Sequence, residues 1–103
     1  MERKEIWTGS KVEGAPYTPG IVFGNLVFVS GQVPMDPATK AIVEGPFENH
    51  VQQCLVNVDR VLEGAGTSLQ NALKVTVFLK DMDNFSRLNE VYNAYFKGIK
   101  PAR

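Results

Sequence analysis

Arg103 is a candidate anion clamp by its type and place in the sequence. A guanidinium is permanently charged and offers a rigid fork of donors that matches a carboxylate. It follows Phe96-Lys97-Gly98-Ile99-Lys100-Pro101, where Gly98 suits the left-handed residue after a helix and Pro101 forbids the helix to resume. Arg103 therefore stands where a helix hands over to an extended segment, although on those residues alone a solvated arginine is the default. Ser30-Gly31-Gln32 ends an apolar run, so a hydroxyl, an unhindered backbone and an amide arrive together at a strand end. They either terminate the strand or face a ligand. Tyr17 lies between Pro16 and Pro19 in a Gly- and Pro-rich loop from Gly9 to Gly20, which is long enough to wall a site. Its ring lines a pocket or pins the loop to the core.

Other familiar chemistries lack their residues. One cysteine, Cys54, and one histidine, His50, leave no Ser-His-Asp or Cys-His arrangement and no zinc spacing. Neither a Gly-x-Gly-x-x-Gly turn nor a phosphate loop is present. Cys54 falls inside an apolar helical stripe and reads as a small core residue, and His50 reads as a surface residue near the same helix start. Asp81 and Asp83 pair at a second helix start, where capping explains them.

The elements that must position these residues follow from periodicity. A first strand is expected over residues 4–8, then a hairpin of Ile21-Val22-Phe23 and Leu26-Val27-Phe28-Val29-Ser30 joined by Gly24-Asn25, a pair suited to a primed turn. A helix is expected from Phe47 to Glu63 with Pro46 in its first turn; Phe47, Val51, Cys54, Leu55, Val58, Leu62 and Ala65 form its apolar stripe, and Asn57 falls among its polar residues. Leu73 to Lys80 alternates as a strand whose two faces should both be covered. Phe85, Leu88, Tyr92, Tyr95 and Phe96 mark a second helix that closes at Gly98, with Asn89 and Asn93 on its flank. This order predicts an α+β fold, a mixed sheet with two helices packed on one face. The hairpin strands are apolar on both sides, so the remaining sheet face should meet another subunit.

Composition sets the bounds. With 103 residues, 44% of them apolar, the chain is one domain able to bury a core. Its 11 basic and 11 acidic residues cancel, so no general field favours nucleic acid or anionic membrane. No signal-like or membrane-length apolar run occurs, and the expected compartment is the cytoplasm, with a mitochondrial form as the alternative.

Pro16-Tyr17, Val29-Ser30-Gly31-Gln32, Asp36-Pro37, Leu62-Glu63-Gly64-Ala65-Gly66, the run from Val75 to Phe85, Asn89-Glu90-Val91-Tyr92 and Pro101-Ala102-Arg103 are specific in their combined order and spacing. In them the chain resembles the reactive intermediate deaminase A (RidA) family, also called YjgF or translation-inhibitor L-PSP. The resemblance implies a chorismate-mutase-like fold, a homotrimer with pockets at the subunit boundaries, and hydrolysis of enamine and imine intermediates such as 2-iminopropanoate to 2-oxo acids and ammonia. It implies that Arg103 holds the substrate carboxylate, that Ser30, Gly31 and Tyr17 line the pocket, and that Asn89 stands at its edge. No metal or cofactor is implied. Two departures matter. The family's Gly-Pro-Tyr-Ser-Gln stretch is Ala15-Pro16-Tyr17-Thr18-Pro19 here, and the family continues past the arginine with a cysteine-containing strand and a strand bearing a glutamate that helps handle water. The expectation is therefore one domain over residues 1–103, incomplete at its C-terminal side relative to the family and impaired in activity. The rival expectations are a non-catalytic trimeric module that binds small carboxylates or proteins, and a ribonuclease or translation inhibitor.

Overall fold

The computed structural model describes residues 1–103. Three antiparallel strands, β1 (Arg3–Ile6), β2 (Gly20–Phe23) and β3 (Leu26–Val29), form a sheet in the order β1-β2-β3. Helices α1 (Phe47–Gly64) and α2 (Phe85–Tyr95) follow, with single 3-10 turns at Leu69–Asn71 and Met82–Asn84. The fold is the expected small α+β arrangement. The hairpin turn places φ at +62° on Gly24 while Asn25 stays negative, the pattern of a II′ turn, whose twist matches that of its strands.

Strand alternation sorts the sheet into two faces. Ile6 pairs with Gly20 and Gly20 with Val29, so these residues share the inner face with Val22 and Val27. Helix α1 lies on that face so closely that a Cβ at Gly20 would stand 2.6 Å from Val61 Cγ1. Val61 is fully buried and β-branched, so it cannot swing aside, and position 20 has no room for a side chain. Val51, Leu55 and Leu62 of α1 meet Leu88 and Tyr92 of α2, and Phe96, 1% exposed, closes the core behind them. The apolar stripe was legible except for Val61. Asn57, whose polarity assigned it to the open side, is buried.

Four expectations need correction. Leu73 to Lys80 alternates in burial as a strand should, with Val75, Val77 and Leu79 packed on the core, yet it forms no ladder. Its one bridge is parallel, Lys74 to Ala102: the Val75 N–H donates to Ala102 O at 2.9 Å and the Ala102 N–H to Leu73 O at 3.0 Å. Within the chain only one face of this segment is covered, since Phe78 is 94% exposed. Helix α2 also stops at Tyr95, earlier than Gly98, because Phe96 turns extended to bury its ring. The Gln70 side chain then caps the end: its Nε2 donates to Tyr95 O and its Oε1 accepts from the Lys97 N–H. Pro46 stands as the N-cap of α1, just before the first turn. Asp81 caps as expected, accepting from the Asp83 N–H at 2.9 Å.

The two helices are also tied across their exposed flank. Arg87 donates from Nε and Nη2 to the two oxygens of Glu48, both at 2.6 Å, and its guanidinium lies over the Phe47 ring. These bonds hold the Glu48 carboxyl down at about 2, against an ordinary 4.5. A carboxylate depressed by folding stabilises the fold above its unfolded pKa, and that contribution disappears as pH falls through the folded value. Arg87→Ala is therefore expected to lower the melting temperature slightly near pH 7, with the difference shrinking as pH falls from about 4.5 to about 2, where Glu48 of the parent protein begins to protonate as well. Thermal unfolding of both proteins across that range checks it; a gap that persists undiminished to pH 2 would assign the difference to packing on Phe47.

Candidate functional site

The residues singled out by their chemistry fall into two groups. In the first, the end of β3 meets the long loop. The Ser30 N–H donates to Pro19 O at 2.9 Å, and its Oγ donates to Thr18 O at 2.6 Å. That spends the hydroxyl hydrogen and leaves the oxygen lone pairs free to accept. Gly31 is exposed, no group of the chain accepts its N–H, and a Cβ built on it would meet nothing within 4 Å. Tyr17 is 61% exposed one residue before Thr18, whose carbonyl holds Ser30, so it does not pin the loop into the core. The result is a small ledge with a hydroxyl acceptor and a free backbone donor, reached from a loop that also carries the exposed Tyr17.

Helix α2 positions the second group. Phe85 and Tyr92 are seven residues apart and so share a helix face, and the Arg103 guanidinium lies over both rings, 5.6 Å and 4.8 Å from their centroids. The Lys74–Ala102 bridge delivers Arg103 to that place. Arg103 makes no salt bridge and no hydrogen bond within the chain, so its donor fork is unspent. Beside it runs a groove of about 250 Å³, floored by Val77, Leu79, Phe85 and Leu88 and edged by Lys74 and Thr76. Between the two rings along α2, Asn89 Oδ1 is buried without a partner, as is the Tyr92 hydroxyl. Burial pushes the Tyr92 phenol up, and the nearby Arg103 charge pulls the other way.

The two groups do not meet within one chain. None of Tyr17, Ser30 and Gly31 lines the groove beside Arg103, and no hydrogen bond or stacking contact joins Arg103 to them; Asn89 shares the α2 face with the Arg103 seat without lining that groove. Cys54 and His50 are engaged elsewhere. The thiol donates to Gln32 O at 3.6 Å and burial pushes its pKa up, which disfavours a nucleophilic thiolate. His50 is half-buried, contrary to its expected surface place, and its Nε2 contacts Val43 O at 2.9 Å, so that nitrogen carries the hydrogen. No cluster of three His, Cys, Asp or Glu side chains could hold a metal ion. Phe85 and Tyr92 as the seat of Arg103 were missed in sequence, where they register only as core residues of a helix.

The family described as endoribonuclease L-PSP matches residues 10–103. A RutC family protein of Pyrococcus horikoshii is 49% identical over 88 residues, covering 85% of this chain and 70% of that protein. A human protein named 2-iminobutanoate/2-iminopropanoate deaminase is 34% identical over 102 residues, covering 97% of this chain and 74% of that one. Among solved structures, a Rid family protein of Yersinia pestis superposes with a TM-score of 0.89 at 36% identity, over 99% of this chain and 82% of the other.

Proposed function

This chain belongs to the endoribonuclease L-PSP (Rid) family, and from that membership we propose that it hydrolyses short 2-imino acids, of the 2-iminopropanoate type, to 2-oxo acids and ammonia. The observation that carries the proposal is the unspent Arg103 fork beside an apolar groove. A bidentate guanidinium suits the carboxylate of such an acid, and the human relative named for this activity is 34% identical over nearly the whole chain. In the proposed site Arg103 holds the carboxylate, Ser30 Oγ accepts from the imine N–H, the Gly31 N–H donates to a substrate oxygen, Tyr17 covers the ligand and Asn89 Oδ1 offers an acceptor at the edge.

Water then adds to C2 of the imine. The C=N π electrons move to nitrogen, which takes a proton, and the resulting carbinolamine collapses to C=O as the C–N bond breaks and ammonia leaves. An imine carbon is already electrophilic, so fixing it against a water supplies most of the acceleration, as expected for orientation-driven catalysis.

The ledge at Ser30-Gly31 and the seat of Arg103 are separate in one chain, so the proposed site is completed between copies. The outer sheet face supports this: Phe23, Leu26 and Phe28 are exposed side by side, an apolar surface of the kind that partners cover. A cyclic homotrimer is the assembly we propose, without membrane or nucleic acid as a partner.

The direct test generates an imino acid in solution from alanine with an amino-acid oxidase and follows 2-oxo acid formation with and without the protein. Acceleration above the uncatalysed rate supports the proposal; an unchanged rate with tight pyruvate binding favours a non-catalytic carboxylate-binding module. Cleavage of RNA in place of imine hydrolysis would favour a nuclease, a reading for which a net charge of zero offers no general support.

A further inference from the structure

Helix α1 carries a seam of side-chain donors that the chemistry above leaves unused. His50, Cys54 and Asn57, spaced by four and three residues, share one helix face. Each is set against a carbonyl of the segment that follows β3: His50 Nε2 against Val43 O, Cys54 Sγ against Gln32 O, and Asn57 Nδ2 against both Val33 O at 3.1 Å and Met35 O at 2.8 Å. Asn57 is the strongest member. It is 7% exposed, both its amide hydrogens are spent on the segment, and its Oδ1 accepts from Gln53 Nε2 at 2.9 Å, which fixes the orientation of the amide. A buried amide with all these groups matched is costly to disturb.

We propose that Asn57 is a positioning residue: it clamps the Val33–Met35 backbone onto α1 and so fixes the strand end where Ser30 and Gly31 present their free acceptor and donor. The catalytic side of this role assumes the imine hydrolysis proposed above. Position matters here because no hydrogen bond holds the Gly31 N–H and a Cβ built on it would meet nothing within 4 Å. The neighbours on either side are held. Ser30 is bonded to the Thr18-Pro19 loop, and Gln32 to Met35 are bonded to α1.

The test compares Asn57→Leu, nearly isosteric but without donors, with Leu69→Ala, a core truncation outside the seam. Amide exchange reports the clamp directly, because the Met35 N–H is bonded to Val33 O and the Val43 N–H to Pro34 O. In Asn57→Leu these two amides should exchange roughly tenfold faster or more, while those of α2 stay unchanged. KM for the imino acid should rise by a similar factor and kcat should fall with it, because the ledge orients the imine as well as binding it. Leu69→Ala should lower the melting temperature at least as much and move neither reading. Unchanged exchange at Met35 and Val43, or an equal rise of KM in Leu69→Ala, would overturn the proposal. A wild-type protein that hydrolyses no imino acid would defeat only the functional reading, since exchange still upholds or overturns the clamp.

Discussion

Arg103→Lys should cut turnover of a 2-imino acid by roughly a hundredfold or more, although it keeps the positive charge. Lysine offers a compact ammonium on a flexible stem. It cannot present two parallel N–H donors to a carboxylate, and it stacks less well on Phe85 and Tyr92 than the planar guanidinium, which lies 5.6 Å and 4.8 Å from those rings. The loss should show in both KM and kcat, because the carboxylate contact orients the imine carbon as well as binding it. Stability should hardly change, since Arg103 is exposed and bonded to nothing in the chain. Steady-state kinetics on freshly generated imino acid, alongside thermal unfolding, checks both halves. Turnover equal to wild type would remove Arg103 from the carboxylate site.

Much of this arrangement was legible in the residues, and the exceptions share a physical cause. Helix α1 was visible because Val51, Leu55 and Leu62 recur at its period, and the hairpin because Gly24 permits a turn of the required hand. Periodicity reports which face of an element is apolar. It does not report which backbone carbonyls will lie against that element. Asn57 therefore read as a solvated residue, and His50 and Cys54 as unrelated ones, although all three meet the same loop. Leu73 to Lys80 failed in the opposite sense. Its alternation was genuine and Val75, Val77 and Leu79 do pack inward, but a strand is defined by its ladder, and pairing depends on what lies alongside. Arg103 stood out by type, whereas its seat on Phe85 and Tyr92 required knowing how α2 is turned toward the Ala102 bridge.

If the site is completed between copies, two inactive variants should restore each other when mixed. Gly31→Leu is suited to this experiment: a Cβ there meets nothing within 4 Å, and φ at Gly31 is not positive, so the single chain folds unhindered while the leucine obstructs the ledge. Arg103→Lys disables the other half. In a cyclic assembly each site would draw its ledge from one copy and its arginine from the next, so random exchange of equal amounts gives both halves intact in roughly a quarter of sites. Mixing after mild dissociation should thus return about a quarter of wild-type turnover from two proteins that each have little. A companion variant, Phe28→Glu, places charge on the exposed outer face of the sheet and should yield a monomer by sedimentation, with activity lost together with assembly. If wild type sediments as an active monomer, or if mixing restores nothing while subunits demonstrably exchange, the ledge and Arg103 belong to no shared site and the proposed chemistry must be relocated.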